Sequence, residues 1–166
     1  MRVLGIDCGS EYTGYGVVED ENDQLRCVAS GAIHLSSRDA LEIRLKQVHD
    51  ELAAQIAAHR PEVVAIEDVF YSVNAKSALK LGHVRGVAMM TAAEQSLAVV
   101  AYAPLAIKSA VVGYGRAEKS QVQQMVTRLL RLDAVPQPAD AADALAIAIC
   151  HIHTSATLRR QAATPR

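Results

Sequence analysis

The sequence predicts an α/β fold, a single domain built on a five-stranded mixed sheet with three antiparallel strands followed by parallel ones and flanked by helices. Three observations predict it. Two uninterrupted apolar runs, residues 3–6 and 63–66, have the composition of strands covered on both faces. A polar cluster at 20–23 separates two further strand patterns, as a hairpin turn would. Between the hairpin and the second apolar run lies a helix-period stripe. A strand, a crossover helix and a strand form a right-handed parallel unit.

The elements follow in order. The first strand ends on Asp7, where a glycine-rich turn begins. Residues 12–18 and 25–33 complete an antiparallel meander. Ser36 and Ser37 offer N-caps for a helix over 38–59, with Leu41, Leu45, Val48, Leu52 and Ile56 on its core face. The run at 63–66 closes with Glu67 and Asp68, and Phe70 and Tyr71 follow on a loop. Such an aromatic pair can stack on an unpaired base or pack back beneath the loop. A second helix over 76–96 places Leu81, Val84 and Ala88 inward and Lys76, Lys80 and His83 along another face. Its Gly82 and Gly86 each cost about 1 kcal/mol relative to alanine and would admit a close backbone, from the sheet or from a partner's helix.

A fifth strand spans 97–102, and Pro104 opens a short helix carrying Lys108. The loop Gly113, Tyr114, Gly115, Arg116 is basic. The next helix, over 118–132, has Lys119 in its first turn, where free N–H groups favour a phosphate. The last helix begins near Ala139, with Asp140 and Asp143 three apart on one side of its first turn. His151 and His153 point in different directions and are read as structural. Residues 1–155 are expected to form the domain and 156–166 a flexible, polar tail.

Composition narrows the function. At 166 residues with about half of them apolar, the chain can bury a core unaided. No apolar run is expected to cross a bilayer, and Met1 leads into a strand pattern, so a soluble cytoplasmic protein is expected. Cys8, Cys27 and Cys150 fit neither a disulfide framework nor a zinc site. Net charge is −1, but its distribution is uneven: residues 1–75 hold six Lys/Arg against thirteen Asp/Glu, and residues 76–131 hold eight against two. That pattern suits an enzyme with an acidic centre and a basic face for a polyanion, and equally an ordinary solvated surface.

Parallel strands ending in Asp7 and Glu67 set both carboxylates at the sheet edge where open α/β folds bind ligands. Asp140 and Asp143 would join them. Four such groups repel one another unless cations neutralise them. Their hard oxygens suit Mg²⁺ or Mn²⁺, and two ions per site form the usual clamp for phosphodiester hydrolysis. Lys119 and Lys108 would add positive charge near the scissile phosphate.

With these residues in place, the sequence resembles the RuvC family of Holliday-junction resolvases. The matching blocks are GIDCGSEYTGYG at 5–16, AIEDVF at 65–70, NAKSALKLGHVRGVA at 74–88, VVGYGRAEKSQV at 111–122 and DAADALAIAI at 140–149. The resemblance implies a ribonuclease-H-like fold and a metal-dependent endodeoxyribonuclease that makes paired symmetric nicks in four-way DNA junctions, in recombination and repair. It implies that Asp7, Glu67, Asp140 and Asp143 hold the catalytic metals, that Phe70 takes the junction-stacking position, and that Lys108 and Lys119 lie near the cleaved strand. Tyr71, Lys76, Lys80 and Arg116 complete the expected DNA contacts. Cys8 departs from the family pattern, where proline is expected, and would leave a thiol near the metals. The family also implies a homodimer, with the 82–90 stretch as its expected interface, and the RuvA and RuvB branch-migration complex as partners.

Other readings stay open at this level. A ribonuclease-H-type hydrolase acting on RNA/DNA hybrids would use the same carboxylates, and a non-catalytic junction-binding module would need no metal. The Asp-x-Gly turn also resembles the phosphate loop of actin-like and sugar-kinase ATPases, which need two such domains. Cleavage of junction, duplex, flap and hybrid substrates in parallel separates a junction resolvase from the hybrid-cutting hydrolase.

Overall fold

The computed structural model describes residues 1–68 and 75–163. Phe70 and Tyr71 lie outside the described residues. The sheet runs β3-β2-β1-β4-β5, with β1 (Arg2–Asp7), β2 (Tyr12–Glu21) and β3 (Gln24–His34) antiparallel. β4 (Val63–Glu67) lies parallel to β1, and β5 (Ala98–Tyr102) lies parallel to β4. The mixed five-stranded sheet thus forms as the sequence predicts. The β2–β3 hairpin turns on Asn22 and Asp23, both at positive φ (55° and 61°). That is the two-residue turn whose twist matches antiparallel strands, and it is tighter than the four-residue turn expected at 20–23.

Each face of the sheet has its own core. α1 (Leu41–His59) and α2 (Ala75–Glu94) cover one face, where Leu4, Ile6, Val64 and Ile66 meet Val48, Leu52, Ile56 and Val84. α3 (Pro104–Val112), α4 (Lys119–Leu129) and α5 (Ala139–Ala163) cover the other, where Val3, Val63 and Ala65 meet Ile107, Val126 and Ile149. With helices on both sides, every residue from Val63 to Ile66 is buried, hence the unbroken apolar run. Burying each of Val48, Leu52 and Ile56 contributes about 1.5–3 kcal/mol.

α5 lies against β1 and β2 more closely than side chains allow. A Cβ on Gly5 would meet the Ala144 carbonyl oxygen at 2.0 Å, and one on Gly14 would meet the Asp140 carbonyl oxygen at 2.0 Å. The glycines are a seat for the helix. By length and composition α5 could span a membrane, contrary to the expectation that no run approaches that length, but residues Ala144 to Ile152 are buried against the sheet as the central core helix.

Several local expectations are corrected. Neither Ser36 nor Ser37 caps α1: Ser36 Oγ accepts from the Arg38 N–H in a preceding turn, and the helix starts at Leu41 behind Ala40, with no side-chain cap. Leu41 is therefore at the mouth of the helix and 40 % exposed, outside the core stripe. α5 continues to Ala163, through residues expected as tail. A methyl group added at Gly82 or Gly86 would meet nothing within 4 Å, so the sheet is not what approaches them.

Candidate active site

The parallel pairing of β1 with β4 places Ile6 beside Ile66, so the next residues, Asp7 and Glu67, leave the sheet side by side. Alternation directs both toward the α3–α4–α5 face, as it does Val3 and Ala65 two or four positions earlier. The first turn of α5 crosses β2 at Gly14, the partner of Asp7 in the β1–β2 ladder, and so sets Asp140 and Asp143 above them. Close backbone seating thus draws three separate stretches of sequence to one point.

There Asp7, Glu67 and Asp143 line a cleft of about 220 Å³ together with Lys108 and Lys119. Pro104, Ile107, Val122, Ala146 and Ile147 form its apolar floor. Asp140 flanks the cleft and is felt electrostatically by both Asp7 and Asp143. Glu118 caps α4 in a reciprocal box with Gln121, whose Oε1 accepts from the Glu118 N–H at 2.8 Å. This fixes Lys119 at the first position of α4, and its Nζ reaches Asp143 Oδ2 at 2.5 Å.

The cluster is electrostatically strained. Burial over the apolar floor pushes Asp7 from 3.8 up to about 7, with Asp143, Glu67 and Asp140 adding repulsion and Lys119 opposing them. Glu67 is raised by burial and then by Asp143, against Lys108 and Lys119. Asp143 is raised because burial outweighs its Lys119 partner, whereas the exposed Lys119 is raised chiefly by that same hydrogen bond. The contact favours both charged forms; the net shifts differ because burial opposes ionisation more at the carboxylate than at the exposed ammonium.

Among the described residues, no three acidic, imidazole or thiol groups stand close enough together to enclose an ion as they are. Asp143 rests on Lys119. The donor set is nevertheless one of hard oxygens only, in excess of the positive charge around it, which is the chemistry that selects a small divalent cation.

The loop after Asp7 is braced from beneath. Thr13 Oγ1 donates to the Gly9 carbonyl at 3.3 Å, and Arg44 of α1 donates to the Ser10 carbonyl. Cys8 packs partly buried on the α1–α2 face, against the core opposite to Asp7, and burial pushes its thiol up to about 12. It is a protonated group at the edge of that core, and not a thiol turned toward the cleft.

The other expected contacts distribute unevenly. Arg116 is exposed on the α3–α4 loop. Lys76 and Lys80 are exposed on α2, and Lys80 borders a separate small crevice with Ser10 and Arg44, away from the cleft. Arg85, which sequence reasoning counted only as charge, donates from Nε to the Glu67 carbonyl at 3.4 Å and from an Nη to Asp68 Oδ1 at 3.3 Å. Only its place within the basic block hinted at that. The apolar floor was also missed, because its residues come from three helices and none carries chemistry.

The family model described as crossover junction endodeoxyribonuclease RuvC matches residues 3–151. A crossover junction endodeoxyribonuclease RuvC of Koribacter versatilis is 70% identical over 161 residues, covering 96% of this chain and 97% of that protein. Its counterpart in Acidobacterium capsulatum is 58% identical, covering 97% and 98%. Among solved structures, Thermus thermophilus RuvC in complex with Holliday junction substrate superposes with a TM-score of 0.87 at 31% identity, covering 95% of this chain and 96% of that one.

Proposed function

Because this chain belongs to the RuvC family of crossover junction endodeoxyribonucleases, we propose that the cleft between β1, β4 and α5 is where it nicks four-way DNA junctions. The protein is a Holliday-junction resolvase of ribonuclease-H-like fold. The observation that supports this location is the meeting of Asp7, Glu67 and Asp143 with Lys108 and Lys119 in one cleft of about 220 Å³, flanked by Asp140.

In our reading Asp7, Glu67, Asp140 and Asp143 are the residues that hold divalent cations, Mg²⁺ or Mn²⁺ and two per site. Such ions, when bound, activate water and stabilise the leaving 3′ oxygen, leaving 5′-phosphate and 3′-hydroxyl ends. The carboxylates supply a preorganised negative well whose repulsion is relieved only by positive charge. Lys119 and Lys108, one from each flank, hold the scissile phosphodiester in the cleft and offset its charge. The apolar floor of Ile107, Val122 and Ile147 excludes bulk water and so strengthens each of these interactions.

Around the cleft, Arg116, Lys76 and Lys80 contact DNA phosphates, which fix orientation without reading sequence. Phe70 and Tyr71 supply the stacking surface for the opened junction. Two cuts of like polarity require two sites, so the working form is a two-fold homodimer. α2 provides its interface: Leu79, Met89 and Met90 are exposed along it, and Gly82 and Gly86 leave room for a partner helix. RuvA and RuvB would present the junction, and the protein would work in the cytoplasm, where the bacterial chromosome lies.

Asp7→Asn tests the assignment. It removes a cation ligand and no DNA contact, so junction affinity by gel shift stays within about two-fold while single-turnover nicking falls at least about a hundred-fold. Cleavage near the wild-type rate would sink the ligand set. RNA/DNA hybrid, flap and duplex substrates run alongside should be cut poorly by the wild-type protein.

A further inference from the structure

α5 bears two of the four acidic residues, so its position along its own axis sets where Asp140 and Asp143 stand relative to Asp7 and Glu67. Its buried side is rich in alanine, with Ala141, Ala144 and Ala148 against a sheet whose facing positions include Gly5 and Gly14. Small residues on glycine allow close approach but present few ridges to interlock. Leu145, lodged against Gly16, and the core residues Ile147, Ile149 and Ile152 hold the helix down, and directional bonds add to the register that this packing sets.

Such a bond exists next to the site. Tyr102, the last residue of β5, is the ladder partner of Glu67, and its carbonyl accepts from the Asp68 N–H at 2.8 Å. From this position its hydroxyl lies 2.9 Å from His151 Nδ1 on α5, with the rings edge to face at 71°. His151 is 9 % exposed, and its Nε2 lies 3.2 Å from Ser155 Oγ. Burial lowers the basicity of this imidazole, so the ring is neutral and one nitrogen carries the proton. The two ring nitrogens of His151 thus tie α5 to Tyr102 on the sheet and to Ser155 one turn further along the helix. Two residues on from His151, His153 Nδ1 donates to the Ala110 carbonyl of α3 at 2.9 Å.

We propose that Tyr102 and His151 are positioning residues of the nuclease centre, their hydrogen bond holding α5 at the axial register that sets Asp140 and Asp143 opposite Asp7 and Glu67. A helix advances about 1.5 Å per residue, so a slip of a fraction of one residue changes carboxylate spacing by an amount a cation site detects. The inference rests on Asp140 and Asp143 being cation ligands.

The test uses the full-length protein, Mn²⁺ alone as the calorimetric probe, and single-turnover junction cleavage across a Mn²⁺ titration. Tyr102→Phe keeps the ring and removes only the hydroxyl. Its Mn²⁺ affinity should fall about ten-fold, the low end of what loss of a ligand-orienting partner costs. Cleavage should fall equally at low Mn²⁺ and recover to within about two-fold of wild type at saturation, because excess ligand offsets weakened affinity. The paired variant Tyr102→Phe with His151→Leu separates positioning from mere satisfaction of a buried polar group. Replacing both partners removes the unpaired polar atom, so thermal stability should return toward wild type while Mn²⁺ affinity stays low. Wild-type Mn²⁺ affinity in both variants overturns the inference, as does full recovery of affinity in the pair. Asp143→Asn is the control. If it loses Mn²⁺ while Tyr102→Phe does not, only the positioning role fails; if neither loses Mn²⁺, the ligand assignment fails and takes the inference with it.

Discussion

Asp7 and Glu19 occupy neighbouring strands at opposite ends of one sheet, and their surroundings are opposite as well. Glu19 faces Arg2 across the β1–β2 ladder. It accepts from Arg2 Nη2 at 2.7 Å and also from Arg26, and these hydrogen bonds hold it below the usual glutamate range. Asp7 stands at the far end of the same ladder from Arg2, where burial and three further carboxylates push it up to about 7. One acid is neutralised by the protein; the other stands buried among more negative than positive charge. A carboxylate that the fold leaves uncompensated is the one to read as functional.

The largest effect expected from this contrast is on cleavage. Asp7→Asn should lose at least about a hundred-fold in nicking, and Glu19→Gln should cleave within about two-fold of wild type. Comparable losses in both would break the comparison. Lys119→Ala comes next, with a fall of about ten- to a hundred-fold in single-turnover rate, since on the proposed reading it removes one charge beside the phosphate but no cation ligand. A rate unchanged by that substitution would make Lys119 only a partner for Asp143.

Stability sharpens the contrast with the opposite sign. The folded-state value of Asp7 lies above its ordinary 3.8, so ionised Asp7 weakens the metal-free fold. That penalty is absent below about pH 4 and complete above about pH 7. In chelator, Asp7→Asn should therefore raise the midpoint of thermal unfolding at pH 8, by the equivalent of at most about 4 kcal/mol, and leave it unchanged at about pH 4. Equal shifts at both pH values would show that packing, not charge, is responsible. Glu19→Gln gives the smallest effect: a loss within about 1 kcal/mol at neutral pH, as for other solvent-screened pairs. Because Glu19 is lowered in the fold, that loss should vanish as pH falls through its range, which urea unfolding at about pH 7 and about pH 3 would measure.

What can be read from the sequence follows the same division between local and distant causes. The strands before Asp7 and Glu67 are legible because burial on both faces writes an unbroken apolar run, and the crossover rule then makes them parallel. Asp140 and Asp143 are legible as one side of a first turn, but not their seat on Gly14, since nothing near residue 14 names its neighbour. The Lys119–Asp143 contact joins two helices and has no local signature. The start of α1 is hidden because Ser36 uses its hydroxyl in a turn that competes with capping. The end of α5 is hidden because its polarity resembles that of a disordered tail, while Arg160 lies 3.7 Å from Asp23 of the β2–β3 turn.

The seating of α5 on Gly5 and Gly14 also bears on when the proposed site can first assemble during synthesis. Asp7 is made among the first residues, but its partners Asp140 and Asp143 come near the end of the chain, on a helix that forms the centre of one of the two cores. A ribosome-bound chain that has completed the meander and the first two helices has the strand and not the site. On the proposed ligand set, DNA-cutting capacity would therefore arise in one late step, together with the final folding of the domain.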